Sequence, residues 1–464
     1  MKKISLLAFL FFYGAVATAS QATQDILIYL KPKANLSGAP LMADRATRGR
    51  FVVQSLQATA EESQKEVIEL IQKNGLSYRA FYIENVIRVP QAPAQFVSEV
   101  QKMPVVERVA QNTVSRLKTF KIKNPPQDLD SQNQQILGHL KRIQADRVWS
   151  ELGVKGRGIV IGGQDTGYFW QHNAIRRQYR GFSLLSVNHN YNWHDSFGEF
   201  AEPKDDHSHG THTIGTAVGD DGGTNKIGVA PEAQWIGCRN MKNGVGSVAS
   251  YMQCFEFFLA PYPVGGDPRK DGRPEMAPHI INNSWSCPEK EGCRGDELLE
   301  TVRALTAAGI INVVAAGNEG SSCGSLAEPP AHYSGDVIAV AGYNRYQNDA
   351  LSFSSRGPSK FNGGFLDITA YGDIIRSAMH TGPDRYDDKA GTSMASPQVA
   401  GVIALLWSAR PELIGQIEQT KEILQKSAQP LTSREACGGV SGSKVPNHTF
   451  GYGMLDAYKA LTTF

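Results

Sequence analysis

Apolar and polar positions divide the chain into an N-terminal stretch of mixed strands and helices and a longer, regularly alternating C-terminal stretch. In the first stretch, an amphipathic pattern over 62–73 predicts a helix, and a second short helix is predicted over 96–103. Short apolar runs predict strands over 26–30, 81–83, 86–89 and 105–109. The resulting β-α-β-β-α-β order is that of a small ferredoxin-like α+β unit.

The C-terminal stretch contains short apolar runs, each followed by a segment of helical character. Uninterrupted apolar runs of this length suit parallel strands that are buried on both faces. The clearest of them lie at 158–162, 233–237, 280–281 and 311–315. Alternation of such strands with helices predicts an α/β fold with a doubly wound, mostly parallel sheet.

The length of the chain indicates how many units it folds into, and its charge bears on which partners it binds. The chain has 464 residues, which predicts two or three folded units. A segment over 118–133, rich in Lys, Asn, Pro, Gln and Asp, separates the two stretches and is interpreted as an exposed linker. The formal net charge is +2 and no basic stripe is visible, so the sequence does not indicate a nucleic-acid partner.

The first residues have the pattern of an export signal over 1–19. Lys2 and Lys3 precede a short apolar run over 6–16, and small residues follow it at 17–19. The run is too short to span a bilayer, for which about 20 residues are needed. A buried N-terminal helix is the alternative interpretation. We therefore expect a secreted protein, periplasmic or extracellular, with no membrane anchor.

Cysteine usage agrees with export. The chain has six cysteines, and thiols outside the cytoplasm meet an oxidising environment in which disulfides form. Cys287 and Cys293 flank a short polar loop and are the best candidate pair. The pairing of the others, Cys238, Cys254, Cys323 and Cys437, stays open because many connectivities are allowed.

Three polar segments carry candidate chemistry. Asp165 lies in Gly-Gln-Asp-Thr-Gly directly after an apolar run, where parallel α/β sheets place their active sites. His209 lies in Ser-His-Gly-Thr-His, which leads into a helical pattern. Ser393 lies in Gly-Thr-Ser-Met-Ala-Ser-Pro, at the start of an apolar helix where backbone N–H groups are unpaired. A hydroxyl, a base and a carboxylate that orients the base are the groups that acyl transfer requires.

Each segment alone has a plain structural alternative. Asp-Thr-Gly also occurs in aspartic proteases, but those need two copies and this chain has one. Gly-Thr-Ser can cap a helix, and a histidine beside glycine and serine is often structural. The three segments together, in this order, resemble the Asp, His and Ser blocks of the subtilisin-like serine protease family.

The resemblance implies a role for each residue. Ser393 would be the nucleophile, His209 the general base and acid, and Asp165 the group that orients the histidine. A fourth segment over 315–320, Ala-Ala-Gly-Asn-Glu-Gly, is similar to the family's oxyanion block and assigns Asn318 to the oxyanion hole. A simple turn at Asn-Glu-Gly is the alternative for this segment.

The resemblance extends from residue 143 onward and is greatest to the bacillopeptidase F branch of the family. It implies an export signal (1–19), an inhibitory propeptide (20–117), a linker with the processing site (118–133) and a peptidase domain (134–464). The chain is thus expected to be a zymogen of a secreted serine endopeptidase. Its partners would be protein or peptide substrates and its own propeptide, and we expect a monomer.

The same resemblance places an extended substrate between two edge segments, where its backbone pairs by strand addition. One wall of the cleft follows residues 245–247, and the other wall is formed by 284–286. The specificity pocket is bounded by these walls and by 315–317, and the candidate substrate-binding residues come from the second wall and the pocket. These are Ser284, Trp285, Ser286, Ala315, Ala316 and Gly317. For Trp285, an ordinary place in the core is the alternative. The sequence does not indicate the floor of the pocket.

No cofactor is expected to be required, and no metal site is assigned. Many subtilisin-like proteases bind structural calcium, and adjacent Asp pairs offer the oxygen ligands that calcium prefers. Such pairs are more often simply solvated. The candidates are Asp205-Asp206, Asp220-Asp221 and Asp387-Asp388.

Two other functional classes compete with the protease. One is a binding protein that kept the scaffold without catalysis, although such proteins usually lose one of the four site residues. The other is a sedolisin-like acid peptidase, in which glutamate replaces the histidine and aspartate replaces the oxyanion asparagine. His209 and Asn318 argue against it, and an acidic activity optimum would favour it because a histidine base must be neutral.

Overall fold

The computed structural model describes residues 23–42, 44–118, 136–289 and 293–463. The predicted export signal over 1–19 and nearly all of the predicted linker over 118–133 lie outside the described residues. The described residues form an N-terminal unit over 23–111, a tail over 112–118 and a C-terminal unit over 136–463.

The N-terminal unit is an antiparallel sheet with two helices. Its elements are β1 (Thr23–Leu30), α1 (Arg45–Lys73), β2 (Arg79–Phe81), β3 (Val86–Pro93), α2 (Ala94–Val100) and β4 (Val106–Gln111). The strand order is β2-β3-β1-β4, and each neighbouring pair is antiparallel. One face of the sheet packs against both helices, with Ile28, Val67 and Phe96 among the buried side chains. The tail carries a further short strand, β5 (Val114–Arg116).

Helix α1 is much longer than the sequence pattern predicted, because it begins at Arg45 rather than at residue 62. Asp44 caps it by accepting a hydrogen bond from Thr47 N at 2.8 Å. The first half of the helix contains threonine, serine and glycine, whose low helix propensity weakens the local signal. Its stability comes instead from the packing of apolar side chains such as Val52 against the rest of the protein.

The C-terminal unit alternates strands and helices. In chain order its described strands and helices are α3 (Gly138–Arg142), α4 (Ala145–Glu151), β6 (Val160–Asp165), β7 (Trp193–Asp195), α5 (His209–Val218), β8 (Gln234–Arg239), β9 (Met241–Lys242), β10 (Val245–Ser247), α6 (Val248–Leu259), β11 (Ile280–Asn283), α7 (Leu299–Ala307), β12 (Ile311–Ala315), β13 (Ile338–Asn344), β14 (Asp349–Ala350), β15 (Ile368–Tyr371), β16 (Ile375–Ala378), β17 (Tyr386–Lys389), α8 (Thr392–Ala409), α9 (Ile417–Ser427), β18 (Ala436–Cys437), β19 (Val440–Ser441) and α10 (Ala457–Thr462).

A mostly parallel sheet forms the centre of the C-terminal unit. Its strand order is β14-β13-β12-β11-β6-β8-β7, and β15 also pairs with β13. These pairs are parallel except for β13 with β14. Helices α5 and α8 pack on one face of the sheet, around Ile161 and Ile214, while α6 and α7 pack on the other, around Ile236 and Ile281. The predicted α/β class with a mostly parallel sheet is confirmed.

The N-terminal unit packs on α6 and α7, and apolar side chains of both units join in one core. Arg48 donates hydrogen bonds to the carbonyl oxygens of Thr306 and Ala307 at the end of α7, where the helix dipole favours a cation. Glu256 of α6 is buried at the contact and accepts a hydrogen bond from Tyr82 N at 2.9 Å. The contact between the units therefore combines apolar burial with specific hydrogen bonds.

Three disulfides link the six cysteines, as Cys238–Cys254, Cys287–Cys293 and Cys323–Cys437. The pairing of Cys287 with Cys293 confirms the pair that its short polar loop predicted. Of the helices in the described ranges, none combines the length and the apolar character that crossing a bilayer requires.

Candidate active site

Asp165 and His209 meet at the carboxyl edge of the central sheet. Asp165 is the last residue of β6, and His209 is the first residue of α5. His209 Nδ1 lies 2.8 Å from Asp165 Oδ1 and 2.9 Å from Oδ2, and both side chains are buried. Because Nδ1 faces a carboxylate, it carries a proton, and Nε2 is the nitrogen that can act as a base.

A second carboxylate holds the loop that precedes α5. Asp205 accepts hydrogen bonds from Thr166 Oγ1 at 2.9 Å and from Thr211 N at 3.0 Å. Thr166 Oγ1 in turn accepts a hydrogen bond from Gly210 N at 3.0 Å. A Cβ atom at position 210 would lie 2.1 Å from the carbonyl oxygen of Gly167, so glycine is required for this approach. These contacts fix the start of α5 against the end of β6.

Ser393 lies in the first turn of α8, at the same edge of the sheet. Its Oγ donates a hydrogen bond to the carbonyl oxygen of Ser284 at 3.1 Å, and Ser284 Oγ donates to the carbonyl oxygen of Ser393 at 2.9 Å. Among the described residues, no hydrogen bond joins Ser393 to His209. The hydroxyl is thus turned toward the end of β11, and rotation about its Cα–Cβ bond releases it.

Asn318 follows β12 and faces the start of α8. Its Oδ1 accepts hydrogen bonds from Thr392 N and from Thr392 Oγ1, both at 3.1 Å. These two bonds orient the amide, so that Nδ2 is the donor it presents to another group. Ser393 N lies in the first helical turn, where N–H groups have no partner within the helix. Asn318 and Ser393 line the same pocket, and Asn318 Nδ2 and Ser393 N both lie within 4 Å of a Cβ atom built at Gly391, so the two donors are near each other as an oxyanion hole requires.

The tail that follows the N-terminal unit lies in the cleft. Its strand β5 pairs with β10 in antiparallel orientation, and β9 pairs with the other edge of β10. Leu117 N continues the pairing by donating to the carbonyl oxygen of Gly244 at 2.8 Å. Lys118 comes next and lines one pocket together with Ser393 and Asn318. A segment of the chain itself therefore lies along the strand that the sequence analysis assigned to one wall of the substrate cleft.

Most of the predicted substrate-binding residues line this pocket. They are Ser284, Trp285, Ser286, Ala315 and Gly317. Ala316 is not among the lining residues, because it is buried and its N–H donates to the carbonyl oxygen of Val340 at 3.0 Å. Trp285 lines the pocket and also stacks on Tyr251, with ring centroids 3.9 Å apart. The residue is therefore part of the core and part of the pocket wall at once.

Two carboxyl groups beside the pocket were not identified from the sequence. Glu319 lines the pocket, and the buried Glu328 accepts a hydrogen bond from Ser286 Oγ. Burial, together with the nearby Glu319 carboxylate, raises the pKa of Glu328 to about 7. No motif marks Glu328; the one available signal is an acidic residue within the otherwise uncharged segment 321–331.

Neighbouring histidine and aspartate side chains have structural partners. His212 Nε2 lies 2.9 Å from the carbonyl oxygen of Ile375, and burial lowers the pKa of His212 well below its usual range. Of the calcium candidates, Asp206 pairs with Arg239, and Asp221 accepts hydrogen bonds from backbone amides of its own loop. Within the described ranges, no three His, Cys, Asp or Glu side chains are grouped so that they could hold a metal ion.

A buried Asp–His pair beside a serine at the carboxyl edge of a parallel sheet is the arrangement of a serine hydrolase. The chain belongs to the subtilase family, whose family model matches residues 156–453. Chance similarity is excluded by the extent of that match, which includes all of Asp165, His209, Asn318 and Ser393.

Relatives of known identity agree with this assignment. The chain is 34% identical over 430 residues to bacillopeptidase F of Bacillus subtilis, and the alignment covers 89% of this chain and 28% of that protein. It is 29% identical over 392 residues to a thermostable alkaline protease of Halalkalibacterium halodurans, with 82% and 91% covered. It is 31% identical over 291 residues to subtilisin DY of Bacillus licheniformis, with 62% and 90% covered. The predicted resemblance to subtilisin-like serine proteases is confirmed, and the chain spans about a quarter of the length of bacillopeptidase F.

Proposed function

We propose that the chain is a serine endopeptidase that hydrolyses peptide bonds through an acyl-enzyme on Ser393. The observation that carries the proposal is the buried contact of His209 Nδ1 with Asp165 at 2.8 Å, on the same sheet edge as Ser393. Membership of the subtilase family supports it, as do the relatives named as proteases. Proteins or peptides are the substrate class, because the cleft accepts an extended strand along β10.

In this mechanism, Ser393 Oγ turns away from the Ser284 carbonyl oxygen and transfers its proton to His209 Nε2 as it attacks the peptide carbonyl. Asp165 keeps a proton on Nδ1 and stabilises the imidazolium that forms. Asn318 Nδ2 and the Ser393 N–H donate hydrogen bonds to the negatively charged oxygen of the tetrahedral intermediate. The histidine then gives the proton to the leaving amine, and water hydrolyses the acyl-enzyme by the same route.

A fluorophosphonate probe tests this proposal, because it labels a serine that is activated as a nucleophile. The mature wild-type protein should be labelled at Ser393, and the Ser393→Ala variant should not be labelled. Ser408→Ala is a matched control, because Ser408 lies near the other end of the same helix and its hydroxyl donates to the carbonyl oxygen of Arg157. A folded and processed wild-type protein that takes up no probe would favour the silent binding scaffold instead.

The proposed role of Asn318 predicts a loss confined to the chemical step. Asn318→Ala should lower kcat about 100- to 1000-fold with little change in KM, a magnitude taken from subtilisin, a member of the same family. Asn318→Asp keeps the oxygen that accepts from Thr392 but lacks the N–H donor, so it should show a similar loss. Steady-state kinetics on a peptide substrate measure both, and an unchanged kcat in Asn318→Asp would remove Asn318 from the oxyanion hole.

The proposal includes a zymogen, in which residues 20–117 form an inhibitory propeptide. The β-α-β-β-α-β order and the strand order β2-β3-β1-β4 support a ferredoxin-like fold for this unit. Its packing on α6 and α7 and the pairing of β5 with β10 support inhibition, because the tail takes the place of a substrate strand. Cleavage within 118–133 would separate the propeptide from the peptidase domain (134–464).

We also propose that the protein acts outside the cytoplasm. Complete pairing of its six cysteines supports this location, because disulfides persist where thiols are oxidised. The charged, then apolar, then small-residue pattern over 1–19 supports export through a cleaved signal. The relative named minor extracellular protease Epr, 28% identical over 378 residues, is in line with this proposal.

A further inference from the structure

One carboxyl group lines the pocket that the tail enters, and a second lies behind the wall of that pocket. Glu319 lines the pocket directly beside Asn318. Glu328 lies behind Gly317, since a Cβ atom built at Gly317 would lie 3.8 Å from Glu328 Oε2. Ser286, on the other wall, donates its hydroxyl hydrogen bond to the same oxygen of Glu328. The two acidic side chains therefore lie close to each other at this pocket.

The two carboxyl groups interact with each other and with a cation. The pKa of Glu328 is raised to about 7, mainly by burial and then by the charge of Glu319, with which it also shares a hydrogen bond. Lys118 acts in the opposite sense and lowers that pKa, because a positive charge stabilises the carboxylate. A cation in the pocket thus opposes the effects of burial and of mutual repulsion on the Glu328 carboxylate.

Lys118 of the tail provides this cation. Its Nζ forms an ion pair with the Glu319 carboxylate, and the two side chains are only 31% and 21% exposed. Partial burial makes such a pair stronger than an ion pair on the open surface. The preceding residue, Leu117, is fixed by its backbone hydrogen bond to Gly244, so Lys118 reaches the pocket from an extended strand. The side chain therefore enters the pocket as that of a bound substrate would.

We infer that this pocket receives the side chain on the acyl side of the cleaved bond and that Glu319 and Glu328 select lysine or arginine there. The inference rests on the proposed endopeptidase function and specifies that its substrates carry a basic residue before the cleaved bond. An apolar side chain would leave the partly buried Glu319 carboxylate without a cation beside it, which is costly. A glutamate side chain in the pocket would instead place its negative charge beside the Glu319 carboxylate, which is repulsive.

The inference also specifies where the precursor is cut. Lys118 is the residue whose side chain occupies the pocket beside Ser393 and Asn318. The bond after Lys118 is therefore the one presented for cleavage, and it lies at the start of the predicted processing linker over 118–133. The propeptide would then act first as a substrate and afterwards as an inhibitor that retains a basic C-terminal residue.

The test compares peptides that differ only in the residue on the acyl side, with lysine, arginine, norleucine or glutamate at that position. Norleucine has the four-carbon side chain of lysine without the terminal ammonium group, and the ratio of kcat/KM for lysine over norleucine cancels effects on the common catalytic machinery. In the mature wild-type enzyme this ratio should be about 5 or more, because a partly buried charge pair contributes more than an exposed pair and less than a fully buried one. Glu328→Gln and Glu319→Gln should each lower it, and the double variant should bring it near one.

Controls separate selectivity from folding. Glu319→Gln and Glu328→Gln should both still hydrolyse the norleucine peptide. If Glu328→Gln does not fold, the ratio measured for Glu319→Gln is sufficient to test the selectivity. Glu412→Gln removes an exposed carboxylate outside the cleft and should leave the ratio unchanged. N-terminal sequencing of the first processing product should start at Thr119.

Three results would overturn the inference. A wild-type ratio at or below one would do so, as would a ratio that neither variant changes, or a first cut that does not follow Lys118. In each of these cases the peptides are still cleaved, so the endopeptidase proposal stands. Failure to cleave any of the peptides, together with absence of fluorophosphonate labelling, would instead remove the proposed function and this inference with it.

Discussion

Replacing Ser393 with alanine is expected to lower kcat about a million-fold, a magnitude taken from subtilisin of the same family, and to leave the precursor uncut. Alanine removes the attacking oxygen, and the neighbouring hydroxyl of Thr392 is held by its hydrogen bond to Asn318 Oδ1. The start of the helix should keep its position, because Ser284 Oγ binds the backbone carbonyl oxygen of residue 393 rather than its side chain. The variant should therefore fold with the N-terminal unit still packed on α6 and α7.

Gel electrophoresis of the variant from a protease-free host measures this outcome. Wild type should separate into a propeptide and a peptidase domain, while Ser393→Ala should migrate as one chain that lacks only the export signal. Ser408→Ala should be processed like wild type. Trimming of the Ser393→Ala chain within 118–133 in that host would show that another enzyme makes the cut, and self-processing would then be wrong.

The central sheet could be predicted because its strands are buried on both faces and therefore appear as apolar runs, as at 311–315. Strand ends were less predictable, because polar residues there are stabilised by partners on neighbouring strands. Gln164 lies inside β6, where its amide donates to Asn283 Oδ1 at 2.6 Å and its oxygen accepts from Asn240 Nδ2 at 3.1 Å. Those partners are distant in the chain, so a local pattern does not show them.

The residues of the candidate site also fall into a predictable group and an unpredictable one. Asp165, His209, Asn318 and Ser393 could be located because each lies in a short motif at the end of a strand or the start of a helix. The acidic pair Glu319 and Glu328 could not be predicted from the sequence, because Glu328 is brought to the pocket only by tertiary contacts. Its partner Ser286 is 42 residues earlier in the chain. The loop between Asn318 and Glu328 is also tied down by the Cys323–Cys437 disulfide, a pairing that the sequence left open.

The contact between Asp165 and His209 leads to the second large expected effect. Asp165→Asn should lower kcat about ten-thousand-fold, the size of the corresponding change in a serine protease of another fold. Asp165 Oδ1 accepts hydrogen bonds from both His209 Nδ1 and Thr166 N, at 2.8 and 2.7 Å. In the variant, the amide oxygen can keep the bond to Thr166 N while its NH2 group faces Nδ1. His209 then accepts on Nδ1 and carries its proton on Nε2, where it cannot take the proton of Ser393.

Steady-state kinetics on a peptide substrate test this tautomer argument, with unfolding temperature as the control for structure. Asp336→Asn makes the same chemical change at a surface carboxylate that pairs with Arg303, and it should leave kcat unchanged. Because the amide is isosteric and Asp165 is buried, the unfolding transition should move far less than the rate. A kcat within tenfold of wild type in folded Asp165→Asn would mean that the histidine does not depend on this carboxylate, and the proposed triad would have to be abandoned.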